Sequence, residues 1–192
     1  MNNLTFWTTN PHKLKEARAI LWVELKWYTN LDLIKIDKAY GWDIPEIQSM
    51  DVLEIVRRKA KDVWGILGRP VIVEDTWLFI NSLKWFPGPF VKYIVDDSWP
   101  WLDVIFKMMR WVSDRTAKAI TGVCMYTWDK YITGYWELDW YIPETPRWNK
   151  FWWSNAFEQI WNSKTFWEMT EYEKNQISMR KLALEDFERN LR

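Results

Sequence analysis

The start of the chain places a β-strand directly before an α-helix, and this order constrains the fold more than any other feature. The stretch "NLTFWT" is rich in strand-forming residues and predicts a strand. Asn10 suits the N-cap and Pro11 the first helical position, so "NPHKLKEARAIL" predicts a helix. Free backbone N–H groups at such a junction can receive an anion, and Thr8, Thr9, Asn10 and Lys13 surround it. An N-cap followed by a lysine is also typical of an ordinary surface helix.

The following segments continue the alternation of strands and helices. "LDLIKI" predicts a second strand, and "DVLEIVRRKAKDVW" predicts a helix with apolar residues on one face. "RPVIVED" is a short, nearly continuous apolar run, as expected of a strand buried on both faces. We expect this strand to end in Glu74 and Asp75, which would then lie at the crevice outside the carboxyl ends of a parallel sheet.

The second half of the chain adds further elements of both kinds. "KWFPGPF" interrupts regular structure, and "WLDVIFKMMRW" predicts a short amphipathic helix. "TAKAITGVCMYT" and "YITGYWELDWYI" predict a hairpin around "WDK". Thr170 with Glu173 forms a capping box, which predicts one helix through "TEYEKNQISMRKLALEDFERNL". No repeat, low-complexity segment or linker is found, so we expect a single α/β domain over residues 1–192.

Charge balance and metal-binding side chains exclude several classes of protein. Lysine and arginine total 26, as do aspartate and glutamate, so no net field would hold a nucleic acid. No segment approaches the roughly 20 apolar residues of a membrane span, and no basic leader opens the chain, so we expect a cytoplasmic protein. One cysteine and one histidine leave carboxylates as metal ligands, which favours magnesium or manganese. Glu46, Glu74 and Asp75 are candidates, although adjacent acids are often merely solvated.

Other side chains could complete a nucleotide site. Lys59, Lys174 and Arg180 are cations that would neutralise a polyphosphate, and Phe151 and Trp153 are rings that would stack on a base. Each has an ordinary alternative, because helix lysines are usually solvated and a tryptophan is usually packed. Their order along the chain is a stronger indication of a nucleotide site than any single residue.

Eight motifs in sequence resemble those of the inosine triphosphate pyrophosphatase family. They are "TTNPHK", "PEIQ", "RRKAKD", "VEDTWLF", "FPGPF", "TPRWNKFWWSNAF", "KTFWEMT" and "EKNQISMR". The resemblance implies an elongated mixed sheet flanked by helices, with two lobes and a cleft between them. It also implies a magnesium-dependent homodimer that hydrolyses inosine, deoxyinosine and xanthosine triphosphates to the monophosphate and pyrophosphate.

The resemblance further implies a role for each candidate residue. It puts Glu46 and Asp75 around the metal. Asp75, at the expected end of a buried strand near that metal, is our choice for activating or orienting the attacking water, with Glu74 as its helper. Lys13 would act on the phosphates as part of the loop that contains Thr8, Thr9 and Asn10. The remaining substrate contacts would come from Lys59, Thr76, Phe151, Trp153, Ser154, Lys174, Ser178 and Arg180.

The chain departs from the family pattern in a recurrent way. Tryptophan stands where relatives usually carry glycine, at Trp77, Trp85, Trp136, Trp140, Trp148 and Trp152. A non-glycine residue held in a left-handed backbone costs roughly 1–2 kcal/mol, so the pattern suggests a modified chain. Ser154 replaces an acid and Met179 a histidine, which predicts weak selectivity for the base. The alternatives are a catalytically impaired nucleotide-binding protein of this fold and a tryptophan-rich interaction or sugar-binding module.

Overall fold

A computed structural model describes residues 4–8, 10–21, 25–29, 45–94, 101–145, 158–159, 164–165 and 168–192. Its strands are β1 (Thr5–Trp7), β2 (Lys26–Tyr28), β3 (Ile72–Ile80), β4 (Pro87–Gly88), β5 (Thr116–Tyr126), β6 (Tyr131–Tyr141) and β7 (Glu158–Gln159). Its helices are α1 (Pro11–Leu21), α2 (Val52–Leu67), α3 (Val91–Ile94), α4 (Trp101–Met108), α5 (Glu171–Ile177) and α6 (Met179–Leu191), with a 3-10 turn at Asn81–Leu83.

The strands form one mixed sheet with helices around it. The order is β2-β1-β3-β5-β6-β7, and β4 pairs with β3 off this path. β1 runs parallel to β2 and β3, whereas β3 with β4 and β6 with β7 are antiparallel. The expected mixed α/β class is therefore confirmed.

The chain forms two compact units. The first takes its residues from Met1–Thr76, Thr121–Trp136 and Met179–Arg192, and the second from Trp77–Ile120 and Glu137–Ser178. β3, β5 and β6 each contribute residues to both units. The single domain over residues 1–192 stays a prediction.

The sheet of the first unit carries a separate hydrophobic core on each face. α1 packs against α6, and these helices form one core with Phe6 and Ile72. α2 forms the other core with Trp7, Val73 and Cys124. Successive strand residues point to opposite faces, so β1 and β3 each supply both cores. This alternation decides the direction in which the acids of β3 point.

Local caps explain the limits of α2. Asp51 is the N-cap, and its Oδ1 accepts a hydrogen bond from the Leu53 N–H at 2.8 Å. Gly68 ends the helix in a left-handed conformation with φ 62°, and its N–H donates to the carbonyl of Trp64 at 2.8 Å. Glycine adopts this conformation at little cost, so α2 ends there.

A buried guanidinium organises part of the second unit. Arg115 is 5% exposed and donates to the carbonyl oxygens of Met109, Ile142 and Pro143 at 2.8, 2.6 and 2.6 Å. It therefore joins the segment after α4 to the segment after β6. Sequence patterns had not singled out Arg115, because its acceptors are backbone oxygens that no side-chain motif reveals.

Several predicted elements are confirmed and others need correction. The strand at β1, the helix at α1 and the neighbouring strands β5 and β6 agree with prediction. The prediction that Glu74 and Asp75 end their strand is wrong, because β3 continues to Ile80. "LDLIKI" lies outside the described residues, and β2 was not predicted.

The C-terminal helix is two helices rather than the one predicted. The capping box of Thr170 and Glu173 is present at the start of α5. Ser178 then adopts an extended backbone, with φ −64° and ψ 127°, before α6 begins. No glycine or proline marks this break, so local sequence rules did not reveal it.

The tryptophans at glycine-like positions are mostly unstrained. Trp77, Trp136 and Trp140 lie in β3 and β6, without positive φ angles. Trp85 has φ 74°, and only there among the four described sites does the left-handed cost of about 1–2 kcal/mol apply. Trp148 and Trp152 lie outside the described residues. Across the ranges that the structure describes, no helix is both long and apolar enough for a membrane crossing.

Candidate active site

The junction between β1 and α1 lies beside the acids of β3. Trp7 is the register partner of Val73, so Thr8 and Glu74 follow immediately along their strands. The Thr8 hydroxyl accepts a hydrogen bond from the Asn10 N–H at 3.1 Å. Asn10 Oδ1 accepts a long hydrogen bond from the Lys13 N–H at 3.4 Å, which supports Asn10 as the cap of α1. Thr9 lies outside the described residues.

Glu74 is the centre of a buried ionic cluster on one face of β3. Lys13 Nζ lies 3.3 Å from its Oε1, and Arg180 Nε donates to its Oε2 at 3.0 Å. A second guanidinium nitrogen, Nη1, donates to Glu16. The side chains of Glu74, Lys13, Arg180 and Glu16 are only 1%, 14%, 13% and 16% exposed. We call these four residues the Glu74 cluster.

Hydroxyl groups complete the surroundings of Glu74. Thr76 donates to Oε1 of Glu74, and its own oxygen lies 3.0 Å from the Thr121 hydroxyl. Thr76 is 6% exposed and Thr121 is fully buried. Thr76, predicted as a substrate ligand, thus contacts the carboxylate directly.

The cluster holds its groups in the charged state. Burial by itself would raise the pKa of Glu74, but Arg180, Lys13 and the Thr76 hydroxyl outweigh burial and lower this pKa to about 2. Burial would likewise lower the pKa of Arg180, yet Glu74 and Glu16 raise it instead. Glu74 is therefore a carboxylate at any ordinary pH.

Asp75 points to the opposite face, towards α2. Lys59 is buried there, with its Nζ 2.6 Å from Glu46 Oε1 and 3.8 Å from Asp75 Oδ2. The same ammonium lies 5.3 Å from the centroid of the Trp7 ring, a cation–π contact. The Asp75 side chain is 19% exposed, and its Oδ1 accepts the Thr76 N–H at 3.0 Å. We call Glu46, Lys59 and Asp75 the Asp75 cluster.

The structure thus divides six of the predicted site residues into two sets. It brings Lys13 and Arg180 to Glu74, and it brings Glu46 and Lys59 to Asp75. Since adjacent strand residues face opposite ways, it does not bring Glu74 to Asp75.

The remaining predicted substrate contacts lie outside these two clusters or outside the described residues. Lys174 is half-buried near the end of α5, and Ser178 is 3% exposed at the break before α6. Phe151, Trp153 and Ser154 lie outside the described residues.

Sequence reasoning missed Glu16. It stands three residues after Lys13 on α1, a spacing that places both side chains on one helix face. That spacing was the available signal. Its partner Arg180 is 164 residues away in sequence, and no local pattern links them.

The Asp75 cluster has the donors that a hard cation needs. Two carboxylates, Glu46 and Asp75, approach the same Lys59 ammonium within 4 Å. Mg²⁺ is commonly held by one or two carboxylates, with waters and substrate phosphates as its other ligands. Among the residues described, no group of three or more His, Cys, Asp or Glu could hold a metal ion. Glu46 and Asp75 are the side chains of this cluster that could contribute to such a site.

These features define a class of α/β protein. A helix start beside lysines and carboxylates, at the end of parallel strands, is the arrangement that binds anionic ligands in open α/β sheets. Comparison with known proteins identifies the family: the model of the Ham1 family matches residues 4–190. The chain belongs to the Ham1 family, and the resemblance predicted from its motifs is confirmed.

Individual relatives cover almost the whole chain. The inosine triphosphate pyrophosphatase of Schizosaccharomyces pombe is 32% identical over an alignment of 197 positions that covers 97% of this chain and 95% of the relative. The dITP/XTP pyrophosphatase of Ignicoccus hospitalis is 32% identical over an alignment of 181 positions that covers 93% of this chain and 90% of the relative. A solved HAM1 protein from Coxiella burnetii superposes with a TM-score of 0.80 at 22% identity, covering 100% of this chain and 98% of that one. This last match supports the fold alone.

Proposed function

We propose that this protein hydrolyses non-canonical purine nucleoside triphosphates, namely those of inosine, deoxyinosine and xanthosine, to the monophosphate and pyrophosphate. Relatives named for these activities match more than nine-tenths of the chain. The observation that carries the proposal is the meeting of the α1 start and both acids of β3 where β1 ends. Such an activity removes damaged nucleotides from the cellular pool.

Charge neutralisation and positioning account for most of the proposed chemistry. Oxygen from water bonds to phosphorus, the P–O bond to the leaving pyrophosphate breaks, and a water proton passes to Asp75. Asp75 suits this role because its side chain is partly exposed and reachable by water. Lys13 and Lys59 would offset the negative phosphate oxygens. Glu46 and Asp75 would hold Mg²⁺ or Mn²⁺, which neutralises phosphate charge and makes bound water more acidic.

Recognition of the base is assigned to residues further along the chain. Phe151 and Trp153 would stack on the purine, with Ser154 beside them, while Lys174 and Ser178 would close the pocket. This assignment rests on motif resemblance. The same resemblance leads us to propose a homodimer, and light scattering of the purified protein tests the oligomer. The cytoplasmic location stays a prediction.

A second candidate is a nucleotide-binding protein that does not turn over its ligand. Met179 favours it, because this residue is 6% exposed and its thioether cannot donate a hydrogen bond to a purine oxygen. Ser154 favours it as well, since a hydroxyl is a weaker acceptor than the acid of relatives.

One assay separates the two candidates. Pyrophosphate release is measured for the triphosphates of inosine, xanthosine, adenosine and guanosine, with Mg²⁺ and with chelator. We expect release from inosine and xanthosine triphosphates only with the metal. A folded protein that binds inosine triphosphate yet releases no pyrophosphate would establish the second candidate. Changing Ser154→Asp and Met179→His together should sharpen the preference for inosine over adenosine triphosphate, and an unchanged ratio would contradict the assigned base pocket.

A further inference from the structure

The Glu74 cluster is a chain of alternating charges that joins three elements. Glu16 of α1 accepts from Arg180 of α6, Arg180 donates to Glu74 of β3, and Glu74 contacts Lys13 of α1. Two negative and two positive charges alternate, so the four charges cancel. All four side chains are at least five-sixths buried, which keeps water from screening them.

The two carboxylate oxygens of Glu74 have different contacts. Oε1 contacts Lys13 and receives the Thr76 hydroxyl, whereas Oε2 receives Arg180 Nε. Arg180 is shared between two carboxylates, because its Nη1 donates to Glu16. Its planar guanidinium suits this bridging, which the single ammonium of a lysine would not reproduce. Glu16 thereby limits how strongly Arg180 attracts Glu74.

We propose that Glu16 is a positioning residue for the triphosphate: by sharing Arg180, it leaves Glu74 Oε1 to hold the Lys13 ammonium at the start of α1. The inference rests on the proposed function, in which Lys13 contacts the phosphates. Glu16 touches no phosphate itself. Its effect passes through Arg180 and Glu74 to Lys13, and the whole path lies within one compact unit.

The direction in which Glu16→Gln changes the affinity for a polyanion distinguishes a positioning role from an effect of net charge. Glu16→Gln removes a negative charge near the site, so charge counting alone predicts tighter binding of a polyanion. Positioning predicts the reverse, because Arg180 would draw Glu74 towards itself and Lys13 would lose its anchor. We expect the affinity for inorganic tripolyphosphate, measured by titration calorimetry without metal, to fall about tenfold.

A double-mutant cycle tests the path through Lys13. In a Lys13→Met background, adding Glu16→Gln should change the tripolyphosphate affinity less than about twofold. Glu16→Asp, which keeps the charge, should recover part of the wild-type affinity. Glu185→Gln is the matched control, because Glu185 pairs with Lys181 on the surface of α6 and should leave the affinity unchanged. If the glutamine variant does not fold, Glu16→Asp decides the matter: it should bind tripolyphosphate more weakly than the wild type, and an unchanged affinity would overturn the role of Glu16.

The outcomes distinguish this inference from the proposed function. Tighter binding by Glu16→Gln, or a full tenfold further loss in the Lys13→Met background, would overturn the role of Glu16 while pyrophosphate release still supports the enzyme. A cycle that behaves as expected in a protein that releases no pyrophosphate would uphold Glu16 and refute the proposed hydrolase. A wild-type protein that binds no tripolyphosphate would overturn the role of Glu16, whereas pyrophosphate release with Mg²⁺ decides the proposed function separately.

Discussion

The neighbouring carboxylates of Glu74 and Asp75 lie on opposite faces of β3 and differ in burial and in ionic contacts. Glu74 is 1% exposed and contacts Lys13, Arg180 and Thr76. Asp75 is 19% exposed, and its ammonium partner Lys59 lies 3.8 Å away, closer to Glu46 than to Asp75. A buried acid with short contacts on both oxygens stabilises its neighbours and orients them. A partly exposed acid with a distant partner is accessible to water and suited to proton transfer.

The difference shows that adjacency in sequence is a poor guide to a shared role. "ED" reads as a pair of acids that could hold one metal ion, and this reading led us to treat Glu74 as a helper of Asp75. The strand pleat points the two side chains to opposite faces of the sheet. Glu74 therefore contacts residues of α1 and α6, whereas Asp75 lies near Lys59 of α2. Four experiments test how the two faces of the sheet differ.

The largest effect should follow loss of the Asp75 carboxylate. Asp75→Asn keeps the size of the side chain and removes the base, so kcat for inosine triphosphate should fall by about 10²- to 10⁴-fold. The melting temperature should hardly move, because the ionic partner of Asp75 among the described residues, Lys59, lies 3.8 Å away. Pyrophosphate release and a thermal scan measure the two quantities. Asp139→Asn, an exposed strand acid, is the control; full activity of Asp75→Asn would reverse the assignment.

Loss of Glu74 should act on folding as well as on the position of Lys13. Glu74→Ala leaves the buried charges of Lys13 and Arg180 without their shared carboxylate, and removing one partner from a buried pair typically costs about 3–5 kcal/mol. Urea unfolding should show this loss, whereas Asp75→Asn should lose less than about 1 kcal/mol by the same measurement. Equal losses for the two variants would mean that the faces do not differ as described.

Two glycines offer a matched comparison of the packing on each face. A Cβ at Gly134 would lie 2.1 Å from the Ala183 carbonyl oxygen and 2.5 Å from the Phe187 nitrogen, both backbone atoms of α6. Gly134→Ala should therefore destabilise the protein by about 1–3 kcal/mol. A Cβ at Gly122 would meet the two Val52 methyl groups at 3.1 Å and the Val52 carbonyl oxygen at 3.5 Å, an ordinary contact distance, so Gly122→Ala should change stability by less than about 1 kcal/mol. Similar urea midpoints for the two variants would contradict the close approach of α6.

The smallest expected effect concerns the thiol in the core behind the Asp75 face. Burial raises the pKa of Cys124 to about 12, with Arg57 opposing this only weakly. The folded protein should therefore resist a thiol reagent at pH 8 and react fully in denaturant. Since the folded pKa lies above the ordinary value of 9.0, this contribution to stability is present below pH 9 and declines as pH rises towards 12. Rapid labelling of the native protein would show that this face opens.

Local signals predicted those features that depend on neighbouring residues. Asn10 and Pro11 define the start of α1, and Thr170 with Glu173 defines the start of α5, because caps satisfy backbone N–H groups within one helical turn. The motifs were specific enough for the family to be predicted, and the Ham1 match confirms it.

Other features depended on partners distant in sequence. The break at Ser178 has no glycine or proline to announce it. The length of β3 was underestimated because two charged residues were taken as the strand end, while in the fold Glu74 is compensated by Arg180, 106 residues later. An acid that finds buried cations can remain inside a strand.

The sequence alone determined where the first strand gives way to a helix, which caps limit the helices, and which family the chain joins. These properties depend on hydrogen bonds within a few residues or on ordered motifs. Only the tertiary structure decided that Glu74 is enclosed and Asp75 is accessible, and that Glu16 belongs with Lys13. The physical reason is that the strand pleat determines which face of the sheet each carboxylate lies on, and the packing of α1, α2 and α6 determines which cation it meets there. Those cations are distant along the chain, so no local pattern reveals them.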